Sequence, residues 1–185
     1  MRRSLLVLWF LLTVGGAPVA AQRAFSVGLA ATLGEGWQMQ GADFGLVGPF
    51  GLGPLRHWSV TARVGSFIDQ GAFFGGQQGI VGALALGVRT GSIKLAEIGT
   101  EPNFTSIRLD LTFETAGYLA ANSPPPYGSR WMAAAVLPAL RTGGPGSTQF
   151  ALLIGPAAFL GHEREVRMFL GLRGEWPLAP RKSVP

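Results

Sequence analysis

The sequence predicts an all-β chain: an eight-stranded antiparallel up-and-down transmembrane β-barrel that follows a cleaved signal peptide. Three observations carry this. Segments of about ten residues that alternate between two faces recur eight times between turn signals, the pattern of strands whose faces differ. Charged residues make up 14% of the chain, against about 25% in typical soluble domains, so some surface faces something other than water. Beyond the N-terminal segment no apolar run reaches the roughly 20 residues a spanning helix needs. The longest, "GIVGALALGV" and "FALLIGPAAFLG", are ten and twelve residues with Gly or Pro inside. A closed barrel is the other structure that satisfies every backbone polar group in lipid.

The N-terminal stretch "MRRSLLVLWFLLTVGGAPVAAQ" has Arg2 and Arg3, an apolar run from Leu5 to Val14, and small residues through Ala21. That is the anatomy of a secretory signal peptide, with cleavage expected after Ala21. Residues 1–21 are therefore read as signal, 22–178 as the barrel and 179–185 as a short C-terminal tail. The chain has no cysteine, which excludes a disulfide, a thiolate metal site and an N-terminal lipidated Cys. Losing Arg2 and Arg3 takes Lys+Arg from 15 to 13 against 10 Asp+Glu. The remaining basic residues are scattered, so nucleic acid is not an expected partner.

In chain order, "FSVGLAATLG" from Phe25 sets Phe25, Val27, Leu29, Ala31 and Leu33 against Ser26, Gly28, Ala30 and Thr32. "DFGLVGPFG" from Asp43 is the weakest segment, interrupted by Pro49 and glycines. "HWSVTARVGSF" from His57 and "GIVGALALGVRTG" from Gly79 alternate clearly, with Arg63 and Arg89 on the face opposite Val60 and Val64, and Leu84 and Leu86. "SIRLDLTFET", Ser106 to Thr115, alternates without a slip. "RWMAAAVLPALR" from Arg130 and "TQFALLIGPAAFL" from Thr148 are more apolar, and each carries a proline read as a bulge or strand end. "EVRMFLGLRGEW" from Glu165 again puts arginines on one face.

The polar face carries Gly, Ala, Ser and Thr with a few long charges of both signs, and lysine occurs only at 94 and 182. A water-facing surface would be richer in Lys and Glu. A narrow lumen suits paired arginines, whose planar fork pairs better in a buried setting than a strongly hydrated ammonium. The expected lumen charge network is Arg63, Arg89, Arg108, Asp110, Glu114, Arg167, Arg173 and Glu175. Aromatic residues near segment ends, Trp37, Trp58, Phe113, Tyr118, Trp131, Phe150 and Trp176, are candidates for interfacial girdles.

In pattern and length, residues 22–178 resemble the small eight-stranded outer-membrane barrels of Gram-negative bacteria, the family that includes the transmembrane domain of outer membrane protein A. The resemblance implies an outer-membrane location, both termini in the periplasm, short turns there and longer loops outside. It implies outer-membrane lipids and the barrel insertion machinery as partners. "RTGGPGST" (141–148) suits a periplasmic turn, and "FIDQGAFFGGQQG" and "LAANSPPPYGSR" suit outer loops. "GSIKLAEIGTEPN" (91–103) is long for a turn on the periplasmic side.

No motif calls for a cofactor or a metal: the only histidines are His57 and His162. "HWS" resembles the His-x-Ser of outer-membrane lipid A deacylases, which would make His57 a general base and Ser59 a nucleophile. No acidic partner for His57 stands out, so the reading is a structural or binding barrel, a monomer without a wide pore, with a lipid-modifying enzyme and a soluble secreted ligand-binding barrel as alternatives. Intact-mass measurement of the protein exported by a Gram-negative host should give a chain beginning at Gln22; retention of residues 1–21 would contradict the signal-peptide reading.

Overall fold

The computed structural model describes residues 23–34, 38–50, 55, 57–75, 79–100, 103–120, 129–143, 147–161 and 163–178. The signal segment, Trp37, His162 and the tail from 179 lie outside these, as does most of the 119–130 connection. The strands are β1 (Ala24–Leu33), β2 (Met39–Pro49), β3 (Ser59–Asp69), β4 (Ile80–Arg89), β5 (Ile93–Thr100), β6 (Asn103–Ala120), β7 (Arg130–Gly143), β8 (Gln149–Leu160) and β9 (Arg164–Pro177), with one helical turn, α1 (Gln70–Phe74), after β3.

Eight of the strands close a ring. Every pairing is antiparallel, in the order β4-β3-β2-β1-β9-β8-β7-β6, and β6 returns to β4. Following partners round the ring from Pro177 passes Ala24, Val47, Thr61, Gly87, Glu114, Ala135 and Ala157, and regains β9 at Arg167. The stagger is therefore ten residues, 177 to 167. For eight strands that stagger sets a tilt of about 40° and a backbone radius on the order of 8 Å, an interior that side chains fill.

Alternation then assigns each residue a side, and the assignment inverts that of a soluble domain. Leu29, Leu46, Leu86 and Leu172 point outward, 53–60% exposed, while Arg63, Arg173, Asp110 and Glu114 point inward, each at most 5% exposed. In "SIRLDLTFET" Leu109 and Phe113 face out, and Asp110, Thr112 and Glu114 face the lumen.

Inward glycines make room for the long side chains. A Cβ on Gly28 would stand 2.6 Å from Asp43 Oδ1 and 3.0 Å from Arg173 Cγ, so there the charged chains lie across bare backbone; one on Gly45 would meet the Ala62 carbonyl oxygen at 2.1 Å and Arg63 Cγ at 2.5 Å.

The structure corrects three expectations. The segment 91–103 is not a loop: residues 93–100 form β5, which pairs with the first part of β6 outside the ring. The connection placed at 67–79 begins later, since β3 runs to Asp69 and Phe67 is a lumen residue. Pro138 and Pro156 end no strand: β7 and β8 run through them, and the β7 bulge falls at Met132/Ala134 instead. The prolines lie where the β7–β8 ladder is interrupted, between Ala135↔Ala157 and Ala139↔Leu153. Neither supplies an N–H there, which is how a proline sits in a strand without an unpaired donor.

A candidate functional site in the barrel interior

Two chains of ion pairs cross the lumen. In the first, Arg63 on β3 joins Asp43 on β2 (Nε to Oδ2, 3.3 Å) to Glu114 on β6, and Arg173 on β9 donates to the same Glu114 (Nη2 to Oε2, 3.0 Å). In the second, Arg141 on β7 joins Asp110 on β6 to Glu175 on β9 (Nη1 to Oε1, 2.7 Å), and Arg89 on β4 donates to both oxygens of Glu175 at 2.9 Å. Arg89 Nη2 also donates to Ser59 Oγ at 3.3 Å.

Each chain holds two carboxylates and two guanidiniums, so each is neutral. Charges withdrawn from water keep their ionised form only when paired, and arginine's fork allows one group to bridge two carboxylates. Most of the bonds join strands that are not neighbours in the ring, such as β3 to β6 and β4 to β9, so the networks brace the barrel across its width.

Toward the other end the lumen is apolar. Phe67 meets Tyr118 edge-on at 5.4 Å, Tyr118 meets Phe159 at 6.1 Å, and Met39, Met132 and Phe169 are fully buried around them. Beyond this plug Arg130 and Arg167 gather on Glu165, with Arg167 Nε donating to its Oε2 at 2.8 Å. Among the described residues no group of three or more His, Cys, Asp or Glu is placed to hold a metal ion.

Of the charged residues expected in the lumen, Arg63, Glu114 and Arg173 share one network and Arg89, Asp110 and Glu175 the other. Arg108 is half-buried on β6, between Lys94 on β5 and Arg141 on β7, and Arg167 belongs to the cluster at the opposite end. Asp43 and Arg141 complete the networks and were not anticipated. Asp43 sits in the glycine-broken second segment, and Arg141 was assigned to a turn; period-two counting from Asp110 and Arg63 through the ladder would have placed both inside.

Among the aromatics, Trp131, Phe150 and Trp176 project outward, 41–53% exposed; Phe113 does so less, and Trp58 is half-buried just before β3. Tyr118 does not join them: it shares the parity of Asp110, Thr112 and Glu114, and is 2% exposed in the plug. His57 lies in the turn before β3 rather than on the strand, and the Ser59 hydroxyl faces the lumen, where it accepts from Arg89 Nη2.

The ladder defines a closed eight-stranded up-and-down barrel, all-β apart from α1. No protein-family model and no curated protein matches the chain. Among solved structures it is similar to the crystal structure of the N-terminal β-barrel domain of Pseudomonas aeruginosa OprF, with 11% identity over 84% of this chain and 99% of that one, at a TM-score of 0.42.

The networks generate a stability prediction. Asp110→Leu leaves Arg141 short of one partner inside the lumen and should cost on the order of 3 kcal/mol in urea unfolding from detergent, the cost of breaking a buried pair. A change within about 0.5 kcal/mol, the range of an exposed surface substitution, would contradict the buried network.

Proposed function

We propose that the chain is an integral outer-membrane barrel with a structural or binding role and a closed interior. The observation that carries this is the inverted distribution of polarity. The outward wall is Leu, Val, Ile and Phe on every ring strand, and the inward wall holds the carboxylates and guanidiniums. A soluble barrel would expose its charges and bury its leucines; a barrel in lipid does the reverse, because an unpaired charge on the lipid face costs about 2–4 kcal/mol near the midplane.

Two further features support the reading. Trp58, Phe150 and Trp176 lie near the end where β1 begins and β9 ends, and Trp131 lies near the other, as girdles at two interfaces would require. The cross-lumen networks and the Phe67–Tyr118–Phe159 plug fill the described lumen, which favours a barrel that anchors or binds over one that conducts. On this reading the connections after β1, β3, β6 and β8 face outward from the cell, and both termini and the β5 arm lie in the periplasm.

Expression in a Gram-negative host followed by fractionation tests the proposal. The protein should be recovered in the outer membrane and should migrate differently on gels with and without boiling, as folded barrels do. Recovery in the soluble periplasmic fraction would contradict it.

A further inference from the structure

β5 stands apart from the ring. β4 and β5 run in line along one edge of β6: β4 pairs with residues Thr112–Ala120, and β5 with Asn103–Leu109. At the junction the Thr90 N–H donates to the Leu111 carbonyl (3.0 Å) and the Leu111 N–H donates to Thr90 Oγ1 (3.1 Å). The result is a hairpin in which Ser106–Leu109 carry β5 on one edge and β7 on the other, while Asn103–Thr105 run on past the end of the β7 pairing. Among the described strands β6 is the sole partner of β5, so the other edge of β5 carries unpaired N–H and C=O groups. Residues Lys94 to Thr100 are all exposed, with Leu95 and Ile98 at 57% and 63%.

An open edge of eight residues invites another strand. Which strand fits is written in the bulge between Lys94 and Ala96. Through it, Lys94 and Glu97 stand opposite Arg108 and Ser106, two positions apart on one face, while Ile93, Ala96 and Ile98 stand opposite Leu109, Ile107 and Thr105 on the other. With Leu95 set aside as the extra residue, the strand is self-complementary about Ala96. A two-fold axis there places Lys94 opposite Glu97 of a second copy, and Ile93 opposite its Ile98, each twice.

We infer that the free edge of β5 pairs antiparallel with the same edge of a second copy of this chain, forming a two-fold dimer through the arms. In the isolated chain Lys94 pairs with its own Glu97. In the dimer the four groups form a ring of alternating sign, and the apolar face of each arm continues into that of its partner. A two-fold axis at Lys94 would set lysine against lysine and one at Glu97 carboxylate against carboxylate, so the charges that discourage general edge pairing permit this one. The inference replaces the monomer expected from the sequence, and it depends on the fold alone, not on the membrane reading.

The absence of cysteine makes the test direct. Ala96→Cys places the only thiols of the assembly at the two-fold axis, so the protein in detergent should form a disulfide-linked dimer under mild oxidation. Thr100→Cys, also exposed but displaced along the strand, should not. In the Ala96→Cys background, Lys94→Glu should lower the cross-linked fraction by roughly fivefold or more, because it sets carboxylate against carboxylate at two places. Adding Glu97→Lys should restore it, a rescue that a folding defect would not show. Equal cross-linking at 96 and 100, no cross-linking at 96, or no rescue by the charge swap would each overturn the proposal.

Discussion

The structure depends on the pairing of carboxylates with guanidiniums across the lumen of an eight-stranded ring. Such a ring has two faces, and with an apolar outer wall the charged side chains of its middle, Asp43, Arg63, Asp110, Glu114, Arg141 and Arg173, turn inward. There they leave bulk water and take partners of opposite sign, on the adjacent strand for Asp43 and Asp110 and across the lumen for Glu114 and Glu175. The neutrality of each network follows from that requirement. So does the glycine beneath the first: Gly28 is bare because Asp43 and Arg173 lie across it.

The same pairing specifies register. Slipping β9 by one residue would turn Arg173 and Glu175 into the apolar wall and bring Leu172 and Gly174 inside, undoing both networks at once. A sheet whose two faces differ only in modest apolar content tolerates such slips; one with eight ionised groups inside does not. The apolar plug acts in the same sense at the other end, where Phe67, Tyr118 and Phe159 interlock. The barrel is thus braced by charge in one half and by packing in the other, and its interior is occupied along both.

Much of the architecture was legible in the sequence because period-two alternation survives in a strand whose two faces differ in polarity. All eight ring strands were found this way, and in "SIRLDLTFET" the choice between faces follows from the composition of the polar side across all the strands. What was missed has particular physical causes. The bulge at Lys94/Ala96 breaks the period in "IKLAEI", so β5 read as a connection. Pro49 and the glycines of β2 hid its inward parity and with it Asp43. Arg141 looked like the start of a turn because "TGGPG" follows it, yet β7 runs on to Gly143. Tyr118 was read by its chemistry, as a girdle residue, when its even spacing from Glu114 already placed it inside.

The central claim is that the leucine face is outside in lipid and the charged face inside. Nitroxide labels on single cysteines at Leu29, Leu46, Leu86 and Leu172 in the reconstituted protein test it most directly, since the chain offers no competing thiol. The account predicts relaxation enhancement by dissolved oxygen, which concentrates in lipid, well above that by a water-soluble nickel complex at all four positions. Labels that respond strongly to nickel, or that are immobilised and reached by neither reagent as in a packed core, would contradict it.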